Sequence, residues 1–413
     1  MQTQAIVSRL LQCCVPFMHA ARWRALHDVA TAAVCGKSLT LTALALGTTR
    51  NTNLRHRIKC VDRLLANPHL DKERVEAYRA LAHEWLSGLP QLLIVVDWSP
   101  VTDDMQWHLL RASVVVDGRS ITLFEEVHPR KHLAALKVHQ KFIKQLAALM
   151  PPCQQSPIVI TDAGFRTTWF RLIAKQGWCW IGRTRNRDFV RQQDGEWYAA
   201  KMLYAKATAT AKDLGEYEAV RNRPLTCRFA LVKTRPTGRK LKYPSGKEKR
   251  HTQAKKSAEC NREPWLLSYS PSLVYLGATA IVNLYSQRMR IEQQFRDTKN
   301  ATHGMGLAQA KSRGKRRLQA LLLIAHIAAM AKRLIGEAAQ AQQLQLQLMS
   351  NNIRNRKTIS VMTLATRVIE RPDLLKKIAD AWPYIYALRQ QAAAAAGAIS
   401  HRIHCSDSKA ADR

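Results

Sequence analysis

The segment QLLIVVD, residues 91–97, is a nearly continuous apolar run that ends in the carboxylate of Asp97. A second run, IVITD at residues 158–162, ends in the same way at Asp162. Short apolar runs of this kind are typical of strands that are buried on both faces of a sheet. Such a strand accommodates a carboxylate only at an exposed edge, where the ligand sites of α/β sheets gather. Asp97 and Asp162 are therefore candidate site residues, although each alone could also cap the turn that follows it.

The elements around these two runs predict an α/β fold with a mixed sheet. Residues 109–116 and 120–126 are strand candidates, joined by an Asp-Gly hairpin signal at residues 117–118. Helical periodicity follows at residues 132–150. Further along the chain, a helix is predicted at residues 167–175 and strands at residues 178–184 and 265–269. This order describes a mixed sheet flanked by helices.

The composition points to a polyanionic partner. The chain has 413 residues and an apolar fraction of 46%, which is ordinary for a folded protein. Lys and Arg number 65 against 30 Asp and Glu, so the net charge is +35. Because such an excess repels itself in a compact fold, it favours binding to a polyanion. Nucleic acid fits better than an anionic membrane, since neither end of the chain carries a strongly amphipathic basic anchor.

Cysteine usage and hydropathy predict a soluble protein. The nine cysteines include no Cys-x-x-Cys pair, which favours reduced, mostly buried thiols over a disulfide framework or a metal site. Residues 1–9 do not continue into a secretory leader with a cleavage site. The longest apolar run, residues 318–331, has 14 residues and is too short to cross a bilayer. We expect it to form a buried core helix.

The first 89 residues predict a helical region with a basic helix. Helical spacing at residues 20–34 ends at Gly36, Ser38 is expected to cap a short helix at residues 39–46, and a basic helix spans residues 53–65. This layout resembles that of helix-turn-helix DNA readers. The alternative is a packed helical subdomain with a solvated basic face, but the overall charge favours DNA binding. The candidate DNA-binding residues are Arg55, Arg57 and Lys59.

The middle and the end of the chain differ from each other in composition and in secondary-structure pattern. Residues 186–263 are irregular and predict an inserted, basic, β-rich subdomain. Within it, residues 233–256 carry ten Lys or Arg and one acid, Glu248, which indicates a loop that is either disordered or held by phosphate. The C-terminal third is helical in pattern. Its Ala-rich end, residues 391–413, is expected to be frayed.

A long helix predicted at residues 278–298 presents an unusual set of polar residues. Tyr285, Arg288, Glu292 and Lys299 follow one another at spacings of 3, 4 and 7. On a continuous helix they would lie within about 60° of one another, on one narrow face. The face would offer one carboxylate flanked by phosphate-binding donors. The alternative is a solvated face on which Arg288 and Glu292 form an i, i+4 ion pair.

Together the three carboxylates suggest a metal-dependent site. Asp97, Asp162 and Glu292 would supply the hard oxygen ligands that suit two Mg²⁺ or Mn²⁺ ions. Such an ion pair can activate a water or hydroxyl for phosphoryl transfer and stabilise the leaving oxygen. Other acidic pairs lack partner motifs and are expected to be solvated: Asp103-Asp104 and Glu125-Glu126. The histidines of this region lack the ligand spacing of a zinc site: His128, His132 and His139.

Residues 285–299, YSQRMRIEQQFRDTK, resemble the signature of the insertion-sequence-four family of DDE transposases. VDWS at Asp97 and TDAGF at Asp162 resemble the first and second acidic motifs of that family. The similarity runs from about residue 38 to about residue 356 and is greatest to the branch that contains the transposon-ten transposase. It implies a ribonuclease-H-like core in which Asp97, Asp162 and Glu292 bind metal, with an insertion between the second Asp and the Glu.

The resemblance also implies roles for the neighbouring residues. Tyr285, Arg288 and Lys299 would hold phosphates near the transposon end. Trp265 would stack on a base flipped out of the duplex, with core packing in a strand as the alternative. Trp98 is expected to be a packing residue. The basic cluster at residues 311–317 is expected to touch the DNA backbone without sequence preference.

These inferences predict a cut-and-paste transposase that acts on double-stranded DNA, at inverted-repeat ends and at a target, as a homodimer in the synaptic complex. It would be cytoplasmic and nucleoid-associated in a bacterium, with no membrane partner. The alternatives are a ribonuclease-H-like nuclease that does not join DNA, and a basic DNA-binding regulator with structural carboxylates. The predicted segments are a DNA-end-binding region (1–89), two core parts (90–185 and 264–337), the inserted subdomain (186–263) and a C-terminal helical region with its tail (338–413).

Overall fold

The computed structural model describes residues 2–36, 38–185, 188–233, 263–302, 304–350, 353 and 358–397. The predicted basic loop at residues 233–256 lies outside the described residues from residue 234 onward. The final part of the predicted frayed end, residues 398–413, also lies outside them, as do residues 351–352 and 354–357, where the resemblance described above ends.

The described chain forms helices and strands throughout. The α-helices are α1 (Gln2–Cys14), α2 (Ala20–Cys35), α3 (Leu41–Gly47), α4 (Leu54–Ala66), α5 (Pro68–Leu86), α6 (Leu136–Leu149), α7 (Thr167–Lys175), α8 (Gly277–Ser286), α9 (Met289–Lys299), α10 (Lys315–Ala341), α11 (Gln345–Leu348), α12 (Val361–Ile369), α13 (Pro372–Leu375) and α14 (Tyr384–Gly397). The strands are β1 (Leu93–Pro100), β2 (Trp107–Val116), β3 (Arg119–Pro129), β4 (Ile158–Thr161), β5 (Cys179–Thr184), β6 (Phe189–Arg191), β7 (Tyr198–Ala199), β8 (Lys212–Ala219), β9 (Leu225–Val232) and β10 (Trp265–Tyr269).

The chain divides into two compact units, one formed by Met1–Gln155 with Met289–Ala398 and the other by Ser156–Arg288. The first unit contains β1, β2 and β3, and the second contains the remaining strands. The five segments predicted above have other boundaries than these two units, and that division stays a prediction.

The first unit begins with the helical region predicted from the sequence. Gly36 ends α2, and its backbone N–H donates to the Ala32 carbonyl. The predicted cap of α3 is wrong by two residues, because the side chain of Thr40, rather than that of Ser38, accepts from the Ala43 N–H at 3.2 Å. Leu39 is buried, at 1% exposed, and precedes α3, which begins at residue 41 after the extended Thr40.

The sheet of the first unit is antiparallel, in the order β3-β2-β1. The predicted hairpin joins β2 to β3, and Gly118 takes the positive φ of 71° that its tight turn requires. Helix α9 packs against all three strands. The sheet therefore has one face that meets α9, and this face carries most of the polar residues discussed below.

Helix α10 is the core helix that the apolar run predicted. It is the only described helix long and apolar enough to cross a membrane, but 94% of its apolar window is buried inside the protein. Helix α14 corrects the expectation of a frayed end for residues 391–397. Ala392 and Ala396 are 1% and 3% exposed, because small side chains let the helix pack closely.

The second unit has a mixed sheet in the order β4-β5-β10-β9-β8-β6-β7. Strands β4 and β5 are parallel, and the other neighbours are antiparallel. The predicted mixed α/β class is confirmed. Strands β6 to β9 extend the sheet beyond β10. The sequence pattern missed β8, because its residues KDLGEYEA have low strand propensity and Gly215 sits at an irregularity of the register.

The predicted long helix at residues 278–298 is wrong. The structure has two helices, α8 and α9, separated at Gln287 and Arg288. The N–H groups of these two residues bond three residues back, to Leu284 and Tyr285, each at 3.0 Å. The Ser286 hydroxyl also donates to the Asn283 carbonyl at 2.6 Å. Such short-range bonds compete with the i→i−4 pattern and tighten the end of α8.

Candidate active site

Asp97 lies inside β1, three residues before its end, and is half-buried. Its carboxylate accepts a hydrogen bond from the backbone N–H of Trp98 at 2.8 Å. Side chains alternate along a strand, so Asp97 and Ser99 share one face of the sheet. Arg111 is the register partner of Asp97 on β2. A carboxylate therefore stands on the polar face of the first unit's sheet.

Lys299, at the end of α9, is held beside Asp97. Its ammonium donates to the Ser99 hydroxyl at 2.6 Å and to the Pro100 carbonyl at 3.2 Å. Burial lowers the pKa of Lys299, the charge of Arg111 lowers it further, and Asp97 opposes both effects. The end of α9 is thus fixed to the strand that carries Asp97.

Glu292 lies in the first turn of α9 and is half-buried. A carboxylate is favourable there, because it faces the positive end of the helix dipole. Glu292 and Lys299 differ by seven residues, so they lie within about 20° of each other around the helix. In the first unit, Asp97 and Glu292 are therefore carried by β1 and by the helix that packs on it.

Asp162 follows β4 directly and belongs to the second unit. Its carboxylate accepts from the Gly164 N–H at 2.8 Å, which forms a tight turn. A Cβ on Gly164 would lie 3.0 Å from the same oxygen, so the glycine allows the backbone to approach the carboxylate closely. The turn leaves Asp162 half-buried at the carboxyl end of a buried strand, as the sequence predicted.

Tyr285, at the end of α8, brings several candidate residues of the second unit together. It is only 4% exposed, and its ring meets that of Trp265 edge to face, with centroids 5.0 Å apart. Burial raises the pKa of the Tyr285 phenol, the charges of Arg288 and Arg183 oppose this, and Asp162 adds to it. Arg288, Arg183 and Asp162 therefore each lie within electrostatic reach of Tyr285.

The expectation that Tyr285, Arg288, Glu292 and Lys299 share one helix face is wrong, because it assumed a continuous helix. Tyr285 belongs to α8, Arg288 lies in the turn, and the other two belong to α9. Tyr285 is also buried rather than displayed. The roles of these residues in DNA binding stay predictions.

Arg183 is a candidate that the sequence reasoning missed. It lies near the end of β5, next to Gly182, which is the register partner of Thr161 on β4. Because the two strands are parallel, Arg183 comes level with Asp162 at the carboxyl end of the sheet. Its charge acts on Tyr285, and it pairs loosely with Glu263 at 3.9 Å. The available signal was its place at the end of a predicted strand beside the strand of Asp162.

The basic helix α4 begins where the sequence predicted, and Asn53 is its cap. The side-chain oxygen of Asn53 accepts a hydrogen bond from the His56 N–H at 3.0 Å. Arg55 and Lys59 are exposed. Arg57 is half-buried, and its guanidinium donates to the Thr48 carbonyl at 3.1 Å. Two of the three candidate DNA-binding side chains are therefore displayed to solvent, whereas Arg57 contacts the segment after α3.

The expectation that Glu125 and Glu126 are solvated is wrong. They are 1% and 2% exposed and lie within β3. Glu125 pairs with Arg111 at 2.7 Å, and Glu126 lies 3.5 Å from Arg74. Their arginine partners come from β2 and α5, so no local pattern could reveal them.

Trp98 and His139 pack together on the face of β1 opposite Asp97. The indole N–H of Trp98 donates to Nε2 of His139 at 3.2 Å. Burial and the nearby His128 lower the pKa of His139 to about 4, so its ring is neutral and accepts this bond.

Within the ranges that the structure describes, no three His, Cys, Asp or Glu side chains form a group that could hold a metal ion.

A family model for the transposase DDE domain matches residues 89–331, which is more than half of the chain. The chain belongs to the DDE transposase family. The matched range includes Asp97, Asp162 and Glu292. A comparison with curated proteins finds no match to this DDE transposase. The mixed α/β architecture is consistent with the ribonuclease-H-like fold of DDE transposases, which are DNA-binding enzymes that generally use divalent metal ions.

Proposed function

We propose that this transposase moves its element by cut-and-paste transposition, with Asp97, Asp162 and Glu292 as its catalytic carboxylates. The observation that carries the proposal is the match to the transposase DDE domain over residues 89–331, a range that contains the segments around Asp97, Asp162 and Glu292. We also assign the chain to the insertion-sequence-four family, near the transposon-ten branch. The motifs VDWS, TDAGF and YSQRMRIEQQFRDTK support this assignment.

The three carboxylates fit a divalent metal by their chemistry. Each is half-buried and so keeps part of its surface accessible, and carboxylate oxygens are the ligands that Mg²⁺ and Mn²⁺ prefer. We assign two ions to Asp97, Asp162 and Glu292. When bound, such ions lower the pKa of the attacking oxygen and stabilise the leaving oxygen of a phosphoryl transfer.

The surrounding side chains would hold the DNA. Tyr285 lies within electrostatic reach of both Asp162 and Arg288 in the second unit, and Tyr285 and Arg288 would bind phosphates of the transposon end. Lys299 would bind a phosphate beside Asp97, exchanging its present bonds to Ser99 and Pro100. Trp265 is half-buried against Tyr285, so part of its ring is accessible for stacking on a flipped base.

The proposed reaction consists of successive phosphoryl transfers. Water attacks a phosphorus at each element end, the P–O3′ bond breaks, and a 3′-hydroxyl is released. That hydroxyl attacks a phosphorus of the opposite strand, where a new P–O3′ bond closes a hairpin while the P–O bond to the flanking DNA breaks and releases a 3′-hydroxyl on that DNA. Water then attacks the hairpin phosphorus and reopens the end. The new 3′-hydroxyl then attacks target DNA, where one P–O bond forms as another breaks. No general-base side chain is needed for these steps.

We propose further that Arg55 and Lys59 on α4 contact the inverted-repeat ends, with Arg57 setting the position of the helix. Two ends must be held together during transposition, which suggests a homodimer in the synaptic complex. The enzyme would act in the bacterial cytoplasm, where the nucleoid provides both end and target DNA.

The test is cleavage of a duplex that carries the inverted repeat bordering the coding region. Asp97→Asn, Asp162→Asn and Glu292→Gln should each abolish cleavage, because each removes a charged oxygen ligand without changing the side-chain shape. Binding of the same duplex, measured by gel shift, should stay within about threefold. Asp103→Asn is the matched control, since Asp103 is an exposed acid that follows β1 closely in sequence. This variant should cleave at the wild-type rate.

Cleavage at the wild-type rate in any of the three variants would refute the assignment of that residue. A second assay supplies a pre-cut end with a 3′-hydroxyl and a target plasmid. A transposase joins the two molecules, whereas a nuclease without joining activity gives no joined product.

A further inference from the structure

Helix α9, which carries Glu292, is attached to its sheet mainly by polar side chains. Only two of its apolar residues, Ile291 and Phe295, are buried. Apolar contacts are not directional, so two of them constrain the rotation of a helix about its axis only weakly. Hydrogen bonds depend strongly on angle. The rotational setting of α9 therefore depends on its polar contacts.

Gln294 makes the most complete of these contacts. Its Oε1 accepts from the hydroxyls of Ser113 at 2.7 Å and Ser120 at 2.9 Å. Its Nε2 donates to the Thr122 hydroxyl at 2.7 Å. The three hydroxyl residues are at most 4% exposed. One amide is thus held by β2 and β3 at three points.

Neighbouring contacts hold the same side of the helix. Arg119 pairs with Asp297 at 2.7 Å and also donates to the Gln293 side chain. Arg111 donates to the Thr298 hydroxyl at 3.4 Å. These bonds reinforce the setting that Gln294 defines, because all of them come from β2 and β3.

The side of α9 that Gln294 holds is opposite to the side of Glu292, where Lys299 anchors only the far end of the helix, to Ser99 and Pro100 of β1. Gln294 follows Glu292 by two residues, so it lies about 200° from it around the helix. A carboxylate about 5 Å from the helix axis moves by about 1 Å for each ~10° of rotation. Misplacing a catalytic group by about 1 Å can cost on the order of 100-fold in rate. Small changes in the setting of α9 therefore matter at Glu292.

We infer that Gln294 is a positioning residue, which fixes the rotation of α9 and thereby aims the Glu292 carboxylate at its metal ion. The inference rests on the proposed function of Glu292. Gln294 itself need not touch DNA or metal.

The test compares Gln294→Met with Gln294→Glu. Methionine keeps the length of the side chain but loses all three hydrogen bonds. Glutamate keeps the acceptors for Ser113 and Ser120, and the Thr122 hydroxyl can turn to donate. Gln294→Met should cleave end DNA roughly 10- to 100-fold more slowly and need roughly tenfold more Mg²⁺ for its half-maximal rate. Gln294→Glu should keep most of the wild-type cleavage rate and most of the wild-type Mg²⁺ affinity.

A second readout does not depend on activity. Binding of Mn²⁺ alone to the full-length protein, followed by electron paramagnetic resonance of the free ion, should weaken in Gln294→Met by the same factor as the Mg²⁺ requirement rises. Binding of end DNA should be unchanged.

Gln319→Met is the matched control. Gln319 is a buried glutamine of α10 in the same unit, and it bonds to Asp71 at 2.6 Å and to the Val127 N–H at 3.3 Å. The bonds of its side chain go to α5 and β3 and not to α9. Its substitution should lower thermal stability but leave the metal dependence of cleavage at the wild-type value.

Equal metal dependence and Mn²⁺ affinity in Gln294→Met and Gln319→Met would overturn the inference. Glu292→Gln is measured in parallel to separate the two proposals. If Glu292→Gln is inactive while Gln294→Met behaves like the control, only the positioning role is lost. If Glu292→Gln cleaves normally, the proposed function of Glu292 fails instead.

Discussion

Glu125 is a charged side chain that the fold encloses almost completely, at 1% exposed. It accepts from Arg111 at 2.7 Å and from the Tyr78 hydroxyl at 2.7 Å. Arg111 is itself 2% exposed and also contacts α9 through Thr298. Because both side chains are shielded from water, neither charge can be hydrated if the other is removed. The pair supports the candidate site, because Arg111 also contacts the helix that carries Glu292.

At the residue scale, Glu125→Gln should therefore destabilise the protein strongly. Removing one partner of a buried ion pair leaves the other charge uncompensated and typically costs about 3–5 kcal/mol. The measurement is urea unfolding followed by circular dichroism. Asp373→Asn is the control, because the side chains of the Arg371–Asp373 pair are both more than half exposed. This substitution should not measurably change the free energy of unfolding. A loss below about 1 kcal/mol for Glu125→Gln would contradict the prediction.

At the scale of elements, the contact between α10 and α12 depends on a glycine. A Cβ on Gly336 would collide with the backbone oxygen and side chain of Val361, the first residue of α12. The two helices can approach this closely only because residue 336 has no side chain. Backbone atoms cannot turn away as a flexible side chain can, so a larger residue must push the helices apart.

Gly336→Ala should lower the stability of the protein by about 1–3 kcal/mol, because overpacking outweighs the gain of about 1 kcal/mol in helix propensity. Differential scanning calorimetry would show a lower Tm. Gly397→Ala provides the comparison, since a Cβ at the end of α14 meets nothing within 4 Å and should leave the Tm unchanged. An unchanged Tm for Gly336→Ala would show that α12 can shift freely.

The break between α8 and α9 is also a feature of elements. The residues around it have ordinary helix propensity, and the helical period continues through them. The turn arises from bonds three residues back and from the Ser286 hydroxyl. It coincides with the boundary between the two units at Arg288 and Met289.

At the scale of the whole molecule, the net charge of +35 should govern DNA affinity. Each phosphate neutralised releases counterions, so the logarithm of the binding constant falls with the logarithm of salt by about 0.9 per contact. We expect a slope steeper than about −5 for end DNA, measured by fluorescence anisotropy at constant Mg²⁺. A scrambled duplex should give a similar slope with weaker binding. A slope flatter than about −2 for end DNA would argue against extensive phosphate contacts.

The sequence by itself determined the α/β class, most strand positions, the helical N-terminal region and the candidate carboxylates. These follow from local causes, since apolar runs make buried strands and an Asp-Gly pair makes a hairpin. Only the tertiary structure decided that Glu125 and Glu126 are buried, that the helix breaks before Met289, and that Lys299 bonds to Ser99 and Pro100. Burial and the pairing of Lys299 depend on partners that are distant in sequence, whereas the helix break depends on which of two local hydrogen-bond patterns the folded chain adopts. Lys299 lies 200 residues from Ser99, and Glu125 lies 47 residues from Tyr78.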